Sequence, residues 1–208
     1  MSSPPIRVVV IEDQTLVREA LVALLSLRPE EIRIEGQAAG GVEGLALVRR
    51  VHPDVALIDI QMEGGDGISA VQAIAAELPA TRCLLLTTFA KEGYLTRGLA
   101  AGARGYVLKD TPVDELADAI RAAAENRLWI SPAMQALWNP ANRADLLSER
   151  DSAILSFAAT GMTNREIANQ MHLAEGSIKN IWTEILQKLG AKNRVEAIAT
   201  ARARGLVD

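Results

Sequence analysis

The first 125 residues alternate short apolar runs with longer segments in which apolar positions recur every three or four residues. The short runs predict strands, and the longer periodic segments predict helices. The predicted strands are Ile6–Ile11, Ile32–Gly36, Val55–Asp59, Cys83–Thr87 and Gly105–Leu108, and the predicted helices follow at about 14–27, 41–51, 67–77, 93–101 and 112–125. Because the strands are apolar without alternation, both of their faces are expected to be covered. The pattern therefore predicts an α/β domain with a doubly wound, five-stranded parallel sheet.

The pattern changes after residue 126. Residues 127–146 contain prolines, scattered asparagines and one short helical stretch near 133–138, which is typical of a linker. Every later segment has the helical period, and we predict helices at about 148–159, 163–170, 174–189 and 193–204. The sequence thus predicts three parts: an α/β domain over 1–126, a linker over 127–146 and a small all-α domain of four helices over 147–208.

The four helices of the second domain differ in how they begin. Three of them start at a Ser, Thr or Asn with an acidic residue three positions later, which is the pattern of a capping box: Ser148, Thr163 and Asn193. The remaining helix starts at Ala174, whose methyl group cannot accept a hydrogen bond from the free amides of the first turn.

Composition and charge are typical of a soluble globular protein. Of the 208 residues, 49% are hydrophobic and 23% are charged, and no apolar run approaches the roughly 18 residues of a membrane span. The single cysteine, Cys83, and the absence of a secretory leader favour a cytoplasmic location and no membrane partner. Residues 1–130 carry 13 basic and 18 acidic side chains, whereas residues 131–208 carry 9 and 8, so the two parts are expected to bind different partners.

Acidic residues end two predicted strands that would be neighbours in a flavodoxin-like sheet of order 2-1-3-4-5. Glu12 and Asp13 follow the first strand, and Asp59 ends the third. In such a sheet the first and third strands meet at the topological switch point, where ligands bind at the carboxyl ends of the strands. Three carboxylates would repel one another there unless a cation lies among them, and their oxygen atoms suit Mg²⁺.

Two further side chains are expected at the same edge of the sheet. Thr87 ends the fourth strand and Lys109 follows the fifth. Together with a divalent metal, they would form a site for phosphoryl transfer to Asp59, with Lys109 neutralising the charge on the phosphoryl oxygens. A magnesium-dependent phosphohydrolase is an alternative, but it needs a general acid two residues after the nucleophile, where Gln61 stands. We therefore expect a protein that is not an enzyme.

The same residues form motifs that resemble the receiver domain of two-component response regulators. The motifs are Glu12-Asp13, Asp59-Ile60-Gln61-Met62, Asp66-Gly67, Leu86-Thr87 and Gly105-Tyr106-Val107-Leu108-Lys109. The resemblance implies that a sensor histidine kinase phosphorylates Asp59 and that Thr87 and Tyr106 re-pack in response. It also implies that Mg²⁺ is held by Asp13, Asp59 and the backbone carbonyl of Gln61, with assistance from Glu12. The sequence departs from the family where Glu63-Gly64-Gly65 follows Met62, since a proline is usual there.

The third helix of the second domain has one apolar and one polar face. Ile178, Ile181 and Ile185 lie on the apolar face. The polar face presents Lys179, Asn180, Thr183, Glu184, Gln187 and Lys188. Such a helix could enter the major groove of double-stranded DNA, with polar side chains at base edges and lysines at phosphates. An ordinary amphipathic helix in a small bundle would show the same periodicity.

Motifs in this domain resemble the LuxR-type helix-turn-helix. They are Leu147-Ser148-Glu149-Arg150, Gly161-Met162-Thr163-Asn164-Arg165-Glu166-Ile167-Ala168, Ser177-Ile178-Lys179-Asn180 and Lys188-Leu189-Gly190-Ala191-Lys192-Asn193-Arg194. With the receiver motifs, the chain is similar to NarL/FixJ-family transcriptional regulators, in particular the DesR-like subgroup.

The resemblance implies that the helix at 174–189 reads DNA and that the helix at 193–204 contributes to dimerisation on DNA. Because one helix-turn-helix with a net charge near zero should bind DNA weakly, we expect phosphorylation of Asp59 to act mainly by forming a homodimer. The candidate DNA-binding residues are Thr163, Asn164, Arg165, Ser177, Lys179, Asn180, Thr183 and Lys188. A receiver that acts through protein contacts, with a tail that does not bind DNA, is the alternative.

Overall fold

The computed structural model describes residues 4–63, 65–137 and 147–207. The chain divides into two compact units, one formed by the residues up to Ala90 with Leu95–Ala136, and the other by Lys91–Tyr94 with the residues from Leu137 onward. We call them the α/β unit and the helical unit. The domain boundaries predicted at residues 126 and 147 stay predictions, and residues 138–146 of the predicted linker lie outside the described residues.

The α/β unit is built on a parallel sheet. Its strands are β1 (Ile6–Ile11), β2 (Ile32–Ala38), β3 (Val55–Asp59), β6 (Arg82–Thr87), β7 (Gly105–Leu108) and β8 (Trp129–Ile130), and β4 (Gln61–Met62) and β5 (Gly65–Asp66) form a separate antiparallel pair. The order in the sheet is β2-β1-β3-β6-β7-β8, and every neighbouring pair is parallel. The predicted doubly wound class and the order of its five strands are confirmed.

Helices cover both faces of this sheet. They are α1 (Thr15–Ser26), α2 (Gly41–Val51), α3 (Gly67–Glu77), α4 (Glu92–Ala100) and α5 (Val113–Ala124). On one face, Leu57 and Leu84 of the sheet pack with Ile120 of α5 in a buried core. On the other face, α2 and α4 approach the strands so closely that an added Cβ on Gly44 would meet Ile11 at 2.5 Å, and one on Gly98 would meet Leu85 at 2.3 Å. Burial from both sides explains why the strand sequences are apolar without alternation.

The sixth strand, β8, was not predicted. The Trp129 amide donates to the carbonyl of Arg104 at 3.0 Å, and the Ser131 amide donates to the carbonyl of Tyr106 at 3.1 Å. Helix α6 (Pro132–Leu137) follows directly. The sheet therefore has six strands where five were predicted, and β8 and α6 form part of the predicted linker. Two residues of strand are too few to show a periodicity, so β8 could not be recognised from the sequence.

The helical unit contains the four predicted helices. They are α7 (Glu149–Ala159), α8 (Asn164–Gln170), α9 (Glu175–Leu189) and α10 (Arg194–Arg204). Both sides of the capping box are present at Ser148 and at Thr163, while the Asn193 side chain accepts from the amide of Glu196. Ala174 makes no side-chain cap, as predicted. Among the described residues, no helix is long and apolar enough to cross a membrane.

Candidate functional site

Three carboxylates meet at the carboxyl ends of β1 and β3, and we call this cluster the acidic pocket. Pairing of Ile11 with Ile58 brings Glu12 and Asp13, which follow β1, beside Asp59 at the end of β3. One carboxylate oxygen from each of the three lies within 4.8 Å of the others. Glu12 is fully buried and Asp59 is 2% exposed, so water contributes little to their solvation. The structure therefore brings together the acidic residues that the sequence predicted for a metal.

Lys109 reaches into the acidic pocket from the end of β7. Its Nζ lies 2.7 Å from Oε2 of Glu12 and 3.2 Å from Oδ2 of Asp59, with only 10% of its side chain exposed. Its backbone amide donates to the carbonyl of Thr87 at 2.8 Å, which fixes the start of the side chain beside β6. One ammonium thus offsets part of the repulsion among three carboxylates, and the pocket keeps an excess of negative charge.

The environment of the Asp59 carboxyl group is unfavourable for its charge. Burial, followed by the nearby charge of Glu12, raises the pKa of Asp59 to about 6, although Lys109 and a backbone hydrogen bond at Gln61 act in the opposite direction. At neutral pH the group is still mostly ionised. Any bound cation would favour the carboxylate form further, which is the form that a nucleophile needs.

The oxygen atoms of the acidic pocket fit a hard divalent cation. Oδ1 of Asp13 is buried and makes no hydrogen bond in the part of the chain that the structure describes, whereas Oε2 of Glu12 and Oδ2 of Asp59 are buried with the Lys109 ammonium at ion-pair distance. Buried anionic oxygens are unfavourable unless a proton donor or a cation satisfies them. Oxygen ligands in this number suit Mg²⁺, which keeps part of its water shell. The residues present therefore fit the metal that the sequence predicted.

The remaining acidic oxygens are held by backbone groups. Oδ2 of Asp13 accepts from the amide of Glu63 at 2.7 Å, and Oε1 of Glu12 accepts from the amide of Gln14 at 3.2 Å. Arg18 of α1 donates to the carbonyl oxygens of Glu12 and Asp13. Sequence reasoning missed Arg18. A basic side chain in the first turn of a helix was the available signal, because acidic residues are favoured at that end.

Thr87 lies at the end of β6, and Tyr106 lies on the neighbouring strand β7, where it pairs with Leu85. Both are 1% exposed, and both contact the backbone of Phe89. The amide of Phe89 donates to Oγ1 of Thr87 at 3.3 Å, and the hydroxyl of Tyr106 donates to the carbonyl of Phe89 at 3.2 Å. Both side chains therefore hold the segment after β6 by hydrogen bonds, so a change in the rotamer of either one would alter the backbone contacts of Phe89.

The loop after Asp59 is a small hairpin that packs against the pocket. Gln61 pairs with Asp66 and Met62 with Gly65. Asp66 then caps α3 by accepting from the amide of Ile68 at 3.0 Å. A Cβ added to Gly67 would lie 1.9 Å from the carbonyl oxygen of Asp59. The Asp66-Gly67 motif thus holds the start of α3 directly on the backbone of Asp59.

The candidate DNA-binding residues of the helical unit fall into two groups. Arg165, Lys179, Asn180 and Thr183 are exposed, and Ser177 is half-buried near the start of α9. Within α9, Lys179 pairs with Glu175 at 3.3 Å. These side chains can reach a ligand at the surface without breaking a contact in the core.

The other three candidates are occupied by contacts within the helical unit. Oγ1 of Thr163 takes part in the capping box with Glu166, and Oδ1 of Asn164 accepts from Arg194 at 3.3 Å. Nζ of Lys188 lies 2.7 Å from Oδ2 of Asp151, whose side chain is fully buried. Their proposed DNA contacts would compete with these interactions. The sequence predicted the capping role of Thr163, but not the contacts of Asn164 and Lys188.

Asp151 of α7 depends on Lys188 of α9. Burial raises the pKa of Asp151, but the hydrogen bonds from Lys188 and from Ser148 outweigh this and leave the pKa below its ordinary value. The carboxylate therefore caps α7 and joins it to α9 while remaining charged.

Two family descriptions match the chain, one for each unit. Residues 8–121 match the response regulator receiver domain, and residues 145–201 match the bacterial regulatory proteins of the luxR family. The uncharacterized transcriptional regulatory protein YvfU of Bacillus subtilis is 37% identical over 97% of this chain and 100% of its own length. The transcriptional regulatory protein DesR of the same organism is 36% identical over 96% of this chain and 98% of its own length.

A solved structure shows a comparable likeness. The response regulator ChrA of a heme-sensing two-component system is 33% identical, with a TM-score of 0.56 over 98% of this chain and 100% of that chain. The likeness to these proteins therefore extends over nearly the whole sequence.

Proposed function

The chain belongs to the NarL/LuxR family of two-component response regulators, which are DNA-binding transcriptional regulators, and we propose that Asp59 is its phosphoacceptor. The observation that carries this proposal is the acidic pocket, where Asp59 lies beside Lys109 and two further carboxylates, and where a buried oxygen of Asp13 has no hydrogen bond from the described residues. A sensor histidine kinase is the proposed phosphodonor.

The transfer needs one nucleophile and a means to neutralise charge. An Oδ of Asp59 attacks the phosphorus of a phosphohistidine; the new O–P bond forms as the P–N bond breaks, and the departing imidazole takes up a proton. Lys109, whose Nζ lies 3.2 Å from Oδ2 of Asp59, would contact the phosphoryl oxygens. Glu12, Asp13, Asp59 and the carbonyl of Gln61 would hold Mg²⁺, which supplies further neutralisation of that charge when bound.

The proposed response begins at Thr87 and Tyr106. Because both side chains bond to the backbone of Phe89, turning the Thr87 hydroxyl toward a phosphoryl group would remove the hydrogen bond that the Phe89 amide now donates. The segment that contains Phe89 would then be held by fewer hydrogen bonds, and the surface of the receiver around it would change. We propose that the changed receiver forms a homodimer, which brings two α9 helices to two half-sites of double-stranded DNA.

Asp59→Asn tests the acceptor. The amide keeps the size of the side chain but is not a nucleophile, so labelling by acetyl phosphate with Mg²⁺ should be lost completely. Intact-protein mass spectrometry measures the added phosphate, and hydroxylamine should release it from the wild-type acyl phosphate. Asp110→Asn is the matched control, because this exposed carboxylate adjoins Lys109 and should leave labelling unchanged. Wild-type labelling of Asp59→Asn would overturn the assignment.

Beryllofluoride with Mg²⁺ tests the coupling to DNA. This analogue of a phosphoryl group should raise both the dimer fraction in sedimentation and the affinity for a DNA site selected from a random pool. A chain that stays monomeric and binds that site equally well in both states would contradict the proposed mechanism.

Two substitutions on α9 separate contacts to phosphate from contacts to bases. Lys179→Ala should weaken binding to every sequence and reduce the salt dependence by about one unit of slope. Thr183→Ala should relax the base preference instead. Lys192→Ala, at an exposed lysine outside the candidate set, is the control and should have the smaller effect on both measurements.

A further inference from the structure

Arg18 holds the backbone of two acidic residues and leaves their carboxylates untouched. Its Nη1 donates to the carbonyl oxygen of Glu12 at 2.6 Å and to that of Asp13 at 3.3 Å. Its Nη2 lies 3.4 Å from Oγ1 of Thr15 at the start of α1. The side chain is half-buried, so these contacts are partly shielded from water.

Arg18 and Lys109 bring positive charge to the acidic pocket in different ways. Lys109 lies at ion-pair distance from the carboxylate oxygens of Glu12 and Asp59, which are atoms that a metal ion would also use. Arg18 instead contacts the main chain behind Glu12 and Asp13. A guanidinium is permanently charged and presents several donors in a fixed plane, so it can bridge two carbonyls and still attract nearby anions.

The location of Arg18 is unfavourable for the helix that carries it. A cation in the first turn of α1 opposes the helix dipole, which favours acidic residues there. The two carbonyl contacts offset this cost. They also fix the chain where it leaves β1, and this segment determines where the Glu12 and Asp13 side chains point.

We propose that Arg18 is a positioning residue for the metal site. It fixes the backbone of Glu12 and Asp13, so that both carboxylates point into the acidic pocket, and it lowers their mutual repulsion without occupying a metal-binding oxygen. This inference rests on the proposed function, because it takes the acidic pocket to be the site of Mg²⁺. No phosphodonor is needed for the role, so it can be tested by metal binding alone.

Arg18→Gln removes the charge and the bridging geometry. Binding of Mn²⁺, followed by electron paramagnetic resonance and by competition with Mg²⁺, should weaken about tenfold in the full-length protein, as is common when a residue that supports metal ligands is lost. Arg28→Gln is the matched control. Arg28 follows α1 and pairs with Glu31 and Asp114 at the surface, so its loss should leave metal affinity unchanged.

Two further variants decide between the remaining outcomes. Asp13→Asn should weaken Mn²⁺ binding at least as much as Arg18→Gln. If neither variant changes the Mn²⁺ affinity, the acidic pocket is not the metal site and the proposed function fails with it. If Asp13→Asn weakens binding but Arg18→Gln binds as the wild type does, only the positioning role is wrong. Arg18→Lys keeps the charge without the planar fork, and its affinity should fall between those of the wild type and Arg18→Gln. Should Arg18→Gln fail to fold, wild-type affinity in Arg18→Lys would overturn the role.

Discussion

The acidic pocket and the polar face of α9 are two proposed binding sites, and their side chains differ in exposure to water. In the acidic pocket, Glu12 and Asp59 are buried. Their charge therefore depends on the exclusion of water by the surrounding chain and on the nearby Lys109 ammonium. On α9, Lys179 and Thr183 are exposed, and they depend on the rest of the unit only for the direction of the helix. The first site should therefore respond to small changes in packing, whereas the second should respond to changes in helix stability.

Gly67→Ala should give the largest effect. The new methyl group would lie 1.9 Å from the carbonyl oxygen of Asp59, and a backbone atom cannot move aside as a flexible side chain can. We expect a loss of about 3 kcal/mol in the free energy of unfolding of the α/β unit. Acetyl phosphate labelling should fall with it. Urea denaturation followed by hydrogen–deuterium exchange of peptides from each unit measures the first effect.

Gly176→Ala is the control from the other side of this comparison. A methyl group at this position of α9 would have no atom beyond the helix itself and its chain neighbours within 4 Å, so the helical unit should keep or slightly gain stability. Equal losses in the two variants would show that packing is no tighter around Asp59 than on α9.

Lys188→Met should have the next largest effect, and it should act in the helical unit. The methionine keeps most of the apolar stem but removes the nearer of two cations from the buried Asp151 carboxylate, leaving Arg150 at 3.8 Å. We expect a loss of about 2 to 3 kcal/mol in the stability of this unit, because Lys188 is still 30% exposed and water can compensate in part. If Lys188 instead serves only to contact DNA, exchange rates in the free protein will match those of the wild type.

Acid should affect the two units in opposite directions. Burial and Glu12 raise the pKa of Asp59 to about 6, so the folded α/β unit binds a proton more tightly than the unfolded chain and becomes more stable as the pH falls from about 7 to about 5. The pKa of Asp151 is lowered, so the helical unit keeps its stability over that range and loses it only as the pH falls further.

Exchange measurements from pH 7 to acid test this difference, after correction for the intrinsic dependence of exchange on pH. Asp59→Asn should remove the gain in the α/β unit and leave the helical unit unchanged. Mg²⁺ should reduce the gain as well, because the ion favours the carboxylate. A wild-type gain that persists in Asp59→Asn would assign the proton to another group.

Ala174→Ser should have the smallest effect. Ala174 is already in the extended conformation of a helix cap, and a serine hydroxyl could accept from an amide in the first turn of α9. We expect the helical unit to gain about 1 kcal/mol. Thr163→Ala should lose a similar amount at the start of α8, where the cap is present. An unchanged stability of Ala174→Ser would indicate that the first turn of α9 is satisfied in another way.

The sequence predicted most of the fold because long elements have a readable period. The bounds of β1, β3 and β7 agree with the prediction, and in the described part of the chain those of the helices differ from it by no more than about one residue. Strand β8 and the hairpin at Gln61 are built from two-residue elements whose pairing is decided by their neighbours in space, so they carry no comparable signal.

The candidate sites differ in how far the sequence could predict them. Residues of the acidic pocket follow from topology, since strand ends in a parallel sheet meet at one edge. Arg18 could not be placed in this way, because its contacts are with carbonyl groups that every residue has. Lys188 was assigned to DNA from its helical face and from the LuxR-type motif that it opens, and its partner Asp151 lies on a helix 37 residues earlier in the sequence.

The short strand β8 contains an amide whose hydrogen exchange reports on the α/β unit from outside the acidic pocket. The amide hydrogen of Ser131 is bonded to the carbonyl of Tyr106, the residue whose hydroxyl contacts Phe89 near the end of β6. Its rate of exchange with deuterated water therefore depends on how often the hydrogen bond between β8 and β7 at Tyr106 breaks. Deuterium uptake by a peptide containing Ser131 would follow that opening without a substitution or a ligand at the acidic pocket.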